Sequence, residues 1–123
     1  MKRKSSRAVQ PSLRPRLRIT SGKEIAFGPG KAELLSWVAK TGSIGQSAKR
    51  MGMSYMRAWS LVQTMNSCFR QPVVRAARGG RERGGAQLTE TGWRVLALYQ
   101  HMEQAALKAV RTDWRALQKL LHG

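Results

Sequence analysis

The feature that most constrains this chain is the punctuation on either side of Gly52. Ser43-Ile44-Gly45-Gln46 has the Ser-x-x-Gln form of a capping box, in which hydroxyl and amide side chains reciprocally satisfy free backbone donors at a helix start. The helix that begins there runs only to Met51, because Gly52 supplies the left-handed conformation that ends a helix at little cost. Ser54 then offers a second cap, and Ala58, Leu61, Val62 and Met65 share one face of a helix over Tyr55 to Asn66. A two-turn helix, a tight Gly turn and a longer helix is the pattern of a helix-turn-helix. Two helices that cross steeply need a small residue at closest approach, here Ala48. They also need apolar plugs at the turn, here Met51 and Met53, with Ala58 and Leu61 facing them. An ordinary helical hairpin would share this outline, but it would leave the cluster of Lys49, Arg50 and Arg57 about the unit unexplained.

The flanking segments extend the pattern. Leu17, Ile19, Ile25 and Phe27 alternate with polar residues around Ser21-Gly22-Lys23, as two short strands or as one strand and a turn. After Gly28-Pro29-Gly30, Leu34, Leu35 and Val38 mark a first helix up to Lys40, closed by Thr41-Gly42; Trp37 stays undecided between core and interface. Downstream, Val73-Val74 and Ala86-Gln87-Leu88 flank a Gly-rich run and predict a β-hairpin with a basic tip. Behind a helix-turn-helix such a hairpin is a wing, whose Arg78, Arg81 and Arg83 can lie along phosphates or enter a minor groove. A nucleotide-phosphate loop fits less well, since no Gly-x-x-x-x-Gly-Lys-Ser/Thr order is present and a strand follows.

Thr89 caps a last helix, expected over about residues 89–121. Val95, Tyr99, Met102, Ala106, Val110, Trp114, Leu117 and Leu121 recur at a mean step of about 3.7 residues and trace one apolar stripe. A helix of about 30 residues is roughly 45 Å long, more than a domain of this size covers by itself. The simplest partner for the overhang is the same helix of a second copy, which makes Val95, Tyr99, Met102, Ala106, Val110, Trp114 and Leu117 candidate dimerisation residues. The alternative is a break that folds the helix back onto its own core. The expected fold class is therefore mainly α with a small β component. It is a winged helix-turn-helix with a long C-terminal dimerisation helix over residues 13–123, preceded by a flexible basic arm at 1–12.

Charge selects the partner. Among 123 residues, 23 Lys and Arg face 6 Asp and Glu, a formal net charge of +17. The excess sits on residues 1–20, which hold Lys2, Arg3, Lys4, Arg7, Arg14, Arg16 and Arg18 with no acid, and on the helix-turn-helix and wing. The last third, by contrast, carries Glu90, Glu103 and Asp113 among its bases. Such a balance calls for a polyanion, and beside a helix-turn-helix and wing the expected one is double-stranded DNA. The arm either touches it or serves as a solubilising extension. Six carboxylates, His101, His122 and Cys68 leave little for an acid/base pair, a nucleophile with its base or a metal site, so no enzyme, cofactor or metal is expected. A lone Cys excludes an internal disulfide, no apolar run approaches the ~18 residues of a membrane span, and no signal peptide follows the basic start. The expected place is the cytoplasm.

Thr41-Gly-Ser-Ile-Gly-Gln-Ser-Ala-Lys49, Met53-Ser-Tyr-Met-Arg-Ala-Trp59 and Met65-Asn66 resemble the DNA-binding domain of the ModE family of molybdate-responsive transcription regulators. So does Arg78-Gly-Gly-Arg-Glu-Arg-Gly-Gly-Ala-Gln-Leu-Thr89 with the helix after Gly92. The similarity covers about residues 17–110. It implies a winged helix-turn-helix that dimerises through its long terminal helix. Three features depart from the family: Met56 stands where a Lys is common, Ser60 where an acid is, and Arg81-Glu82-Arg83 where glycine prevails. Family members that sense molybdate use a C-terminal duplicated oxyanion-binding region. This chain stops before such a region would begin, so direct molybdate binding is not expected, and an effector is either absent or supplied by a separate oxyanion-binding partner. The expected mechanism is sequence-specific regulation. Ser54 and the helix start would hold a phosphate, Tyr55, Met56, Arg57 and Ser60 would face base edges, and Arg57 is the natural bidentate reader of guanine. Trp59 is open between packing and contact. The alternative is a non-specific architectural DNA- or RNA-binding protein that reads no base.

Overall fold

A computed structural model describes residues 10–77 and 85–122. The chain forms two compact units, one over Arg16–Gln100 and one made of residues 1–15 with 101–123. The structure is mainly helical with two small antiparallel sheets.

In the larger unit, β1 (Ile19–Ser21) and β2 (Glu24–Phe27) pair around a turn whose Gly22 has φ 62°. Helix α1 (Pro29–Thr41) starts with Pro in its first turn and ends on Gly42, at φ 72°. Helix α2 (Ile44–Met51) begins at Ser43, whose hydroxyl accepts from Gln46 N at 3.0 Å, and stops at Gly52, at φ 70°. Helix α3 (Tyr55–Cys68) begins at Ser54, which accepts from Arg57 N at 3.1 Å. One half of the expected capping box is replaced. The Ser43 N–H goes to Thr41 Oγ1 at 3.2 Å rather than to Gln46, because the end of α1 brings that hydroxyl within reach first. Thr41 and Ser47, which is fully buried, close this polar knot. Thr41 Oγ1 lies 3.0 Å from Ser47 Oγ, and Ser47 donates to Ser43 O at 2.7 Å.

The strands β3 (Val74–Ala76) and β4 (Ala86–Leu88) pair as Val74 with Leu88 and Ala76 with Ala86. The hairpin is tied to the helices at two places. Ala86 N donates to Gly42 O at 2.9 Å. Asn66 on α3 accepts from Val73 N and Val74 N at 2.8 and 3.3 Å and donates to Val74 O at 3.1 Å, so one amide satisfies three backbone groups of the incoming strand. The loop expected to carry the wing arginines Arg78, Arg81 and Arg83 lies outside the described residues, as do residues 1–9 of the basic arm.

Helix α4 (Glu90–Ala109) is capped by Thr89, whose hydroxyl accepts from Gly92 N at 2.9 Å and donates to Pro72 O at 2.6 Å. Its first turns complete the core. Phe27, Leu34, Leu35, Met65, Val73 and Tyr99 are each at most 1% exposed. The Phe27 ring meets Tyr99 and Phe69 edge-on at 5.0 and 6.1 Å, and burying each large apolar side chain contributes about 1.5–3 kcal/mol. Ala48 and Ala58 are buried as the α2–α3 crossing requires, with Met51, Met53 and Leu61 packed against the core.

The expected unbroken helix over 89–121 is corrected. Within the second unit, α4 ends at Ala109 and α5 (Arg111–Gln118) follows, with Val110 between them at φ −102°, ψ 11°. Val110 still donates to Ala106 O and accepts from Trp114 N, at 3.2 and 2.8 Å, so the dihedral break keeps the adjoining hydrogen bonds. The sequence favours a new start here. Val110 is β-branched, Thr112 suits a first turn better than a helix interior, and Asp113 complements the positive end of α5.

Candidate nucleic-acid interface

Helix α3 buries Ala58, Val62 and Met65 on one side and leaves its first two turns bare on the other. Met56 is 66% exposed, Tyr55 47% and Trp59 42%, and Arg57 and Ser60 are exposed beside them. Three large apolar side chains at one exposed helix start form the kind of patch that marks a contact surface. No acidic residue occupies the first turn of α3, so nothing there offsets the positive end of its dipole. The Ser54 hydroxyl spends a lone pair on the cap and keeps its proton for an outside acceptor.

Further cations lie on the two preceding helices. Lys49 and Arg50 lie in the last turn of α2, and Lys40 Nζ and Arg50 Cζ stand 4.9 and 5.2 Å from the Trp37 ring centre. Trp37, undecided from sequence, is thus half-buried and carries two cations on its ring. Between α3 and the hairpin runs a groove walled by Tyr55, Trp59, Gln63 and Asn66 on one side and Val74, Arg75 and Ala76 on the other. Trp59, open between packing and contact, lines this groove half exposed. Arg75 pairs across the hairpin with Gln87, whose amide oxygen, turned toward it, accepts from Nη2 and Nε at 2.8 and 3.0 Å.

Ser54, Tyr55, Met56, Arg57 and Ser60 are all exposed about the start of α3, Tyr55 toward the hairpin groove and Arg57 toward a second cleft. Sequence reasoning missed Arg16 and Arg18, which line a second cleft with Arg57 and Lys31. Their signal was the alternation about Leu17, read there only as strand pattern. Lys31 is buried, its ammonium donating to Ile25 O, and burial pushes its pKa below the ordinary value although Cys68 and Glu24 act the other way.

The stripe of candidate dimerisation residues divides. Tyr99 is 1% exposed, donates to Leu17 O at 2.6 Å and belongs to the chain's own core, against which Val95 also packs. Met102, Val110 and Leu117 are 40–49% exposed, and Ala106 and Trp114 are half-buried. In this second unit Leu13, Val110, Asp113, Trp114 and Leu117 surround a small apolar hollow. Among the described residues no group of His, Cys, Asp and Glu is placed to hold a metal ion, and no helix is long and apolar enough to cross a membrane.

No family model matches the chain. Individual relatives do. The Molybdenum-pterin-binding protein MopB of Rhodobacter capsulatus is 39% identical over 91 residues, covering 74% of this chain and 34% of that protein. The Molybdenum transport protein ModE of Azotobacter vinelandii is 35% identical over 108 residues, covering 79% and 40%. The DNA-binding transcriptional dual regulator ModE of Escherichia coli (strain K12) is 41% identical over 81 residues, covering 66% and 31%. The chain thus spans between about a third and two fifths of the length of these relatives.

Proposed function

Across its matched region the chain belongs to the ModE family, and from that premise we propose that it is a sequence-specific, DNA-binding transcription regulator of winged helix-turn-helix type. The observation that carries the reading is the bare start of α3: Tyr55, Met56, Arg57 and Ser60 stand exposed around its first two turns, with Ser54 at its positive end. Placed in a major groove, that helix start brings Arg57 to guanine O6 and N7, while Met56 and Tyr55 meet base edges by apolar contact. The Ser54 O–H and the first backbone amides hold a phosphate. The hairpin is the wing, with Arg78, Arg81 and Arg83 along the backbone or in the minor groove.

Dimerisation runs through Met102, Ala106, Val110, Trp114 and Leu117, whose apolar surface is incompletely covered within one chain. A two-fold dimer would present two α3 helices to a palindromic site. The regulated process is molybdenum homeostasis, as the relatives' names suggest.

Selection of bound genomic fragments with and without molybdate, followed by affinity measurement on the enriched site, tests the reading. Specific binding should exceed non-specific binding by at least about 10³ at physiological salt. Arg57→Ala should cost about 1–3 kcal/mol on the selected site and relax one base position. A specificity ratio near unity would identify a non-specific architectural protein instead.

A further inference from the structure

The basic cleft beside α3 is not explained by base reading. Leu17 packs against the core, and its carbonyl accepts from the Tyr99 hydroxyl at 2.6 Å. In an extended segment neighbours alternate, so pinning Leu17 inward sends Arg16 and Arg18 together to the opposite side. Both line one cleft with Lys31 and Arg57, over an apolar floor that includes Met53 and Leu61. The Arg18 stem is held close: its Cγ lies 3.5 Å from the position a Cβ on Gly28 would take.

No carboxylate lines this cleft. Glu24 is near enough to act on Lys31, but it is one acid beside four cationic side chains, which still repel one another, and an anion seated among them turns that repulsion into attraction. The start of α1 lines the same cleft through Gly28, Pro29 and Gly30, with no side-chain cap and no acid in its first turn, which adds to the positive field. Lys31 is tied to Ile25 O and contributes fixed charge, whereas Arg16 and Arg18 are exposed and have guanidinium forks to offer.

We propose that Arg16 and Arg18, on the segment just before β1, extend the DNA-contact surface beyond α3 by gripping one backbone phosphate in the cleft they share with Arg57. The phosphodiester is favoured over a free anion because Arg57 is common to the cleft and to the exposed α3 face, so a duplex on that face carries its phosphates past the cleft mouth. The proposal rests on the DNA-binding reading above. It makes the pre-strand segment a positioning element that fixes how α3 enters the groove.

The test uses the full chain, its Arg16→Ala/Arg18→Ala double variant and Arg57→Ala, titrated by fluorescence anisotropy on the selected site and on a scrambled duplex between about 50 and 200 mM salt. The double variant should weaken on both duplexes by the same factor, keep its specificity ratio, and show a log–log salt slope shallower by about 0.9 per bound copy for one phosphate. Uncharged methylphosphonate linkages scanned around the site should include one position that weakens the wild type and leaves the double variant indifferent. Circular dichroism melting checks that both variants fold, as exposed positions should. Wild-type affinity and slope in the folded double variant would sink the proposal. So would competition by inorganic phosphate at constant ionic strength that the double variant abolishes without any change of slope, since the cleft would then hold a free anion. A wild type with no sequence preference defeats the base-reading proposal instead, and the methylphosphonate coupling still judges the cleft.

Discussion

Gly92→Ala is the most demanding perturbation of the fold, because it acts where α4 meets the hairpin. A Cβ built on Gly92 would lie 2.1 Å from Val73 O, 3.0 Å from Val73 C and 3.3 Å from Leu88 Cγ. The first two contacts are backbone atoms, and Val73 O already accepts from Thr89 N at 3.0 Å, so that carbonyl cannot swing away without breaking the junction. Overpacking a filled site costs about 1–3 kcal/mol, and a backbone contact this close belongs at the upper end. Alanine returns about 1 kcal/mol of helix propensity, which leaves a net loss of about 2 kcal/mol. For a domain of this size each kcal/mol moves Tm by about 4–8 °C, so melting should fall by about 8–16 °C. The control is Gly30→Ala in the first turn of α1, where a Cβ meets nothing within 4 Å and the Tm should hold or rise slightly. Thermal unfolding followed by circular dichroism reads both. Gly92→Ala melting with the wild type would mean that α4 does not approach β3 as closely as described, and the placement of the hairpin would fall with it.

Three other outcomes follow from named contacts. Asn66→Ala removes three hydrogen bonds between α3 and the strand, two of them to backbone N–H groups, and should cost about 2–3 kcal/mol in urea unfolding; Asn66→Asp, which retains the acceptor, should cost less, and equal losses would refute the clamp. For Lys31 the folded-state pKa is depressed by burial, so the unfolded chain binds more protons between that value and the ordinary 10.5, and stability must rise with pH across the window. Relative to Lys31→Met, the wild type should therefore gain stability as alkaline pH approaches 10.5 in stepped denaturant titrations, and a gap constant with pH would be the wrong result. Leu117→Asp places a charge on the apolar stripe and should convert a sedimenting dimer to monomer without altering the melting of the Arg16–Gln100 unit; a wild type that sediments as monomer at micromolar concentration removes the dimer proposal.

Local punctuation was legible in the sequence; long-range ownership was not. Ser43, Gly52, Ser54 and Thr89 act within four residues of themselves, and each ends or starts a helix as its chemistry requires. The 3.7-residue stripe runs through two helices, with Tyr99 buried in the core and Met102, Val110 and Leu117 exposed. Periodicity identifies a face, however, and not what covers it. Tyr99 is claimed by Phe27 and Leu17 from the far end of the chain, which no spacing within residues 89–121 discloses. The break at Val110 escaped for a related reason: a single bridge-region residue leaves the step to Trp114 at four and so does not disturb the count. The exposed start of α3 was legible because it belongs to one helix. The Arg16–Arg18 cleft was not, since its walls come from three segments joined only in space.

Charge and shape divide the work on the proposed DNA face, and their separation has a physical consequence. On the proposed reading the formal +17 would supply affinity through phosphates, a contribution that declines steeply with salt as released counterions lose their entropic advantage. The side chains proposed to meet bases are different in kind. Met56 and Tyr55 are apolar or amphipathic, Ser60 is neutral, and Arg57 is the one charged reader among them. Apolar contact with a thymine methyl and hydrogen bonds to base edges are short-ranged and little screened. Raising salt should therefore lower binding to every sequence by a common factor while leaving the ratio between sequences nearly intact. Between Tyr55 and Ser60, Arg57 is the one charged residue, while the chain as a whole is strongly basic. Such an arrangement favours rapid capture by the surrounding arginines and lysines, with discrimination left to the few neutral contacts that survive when those charges are screened.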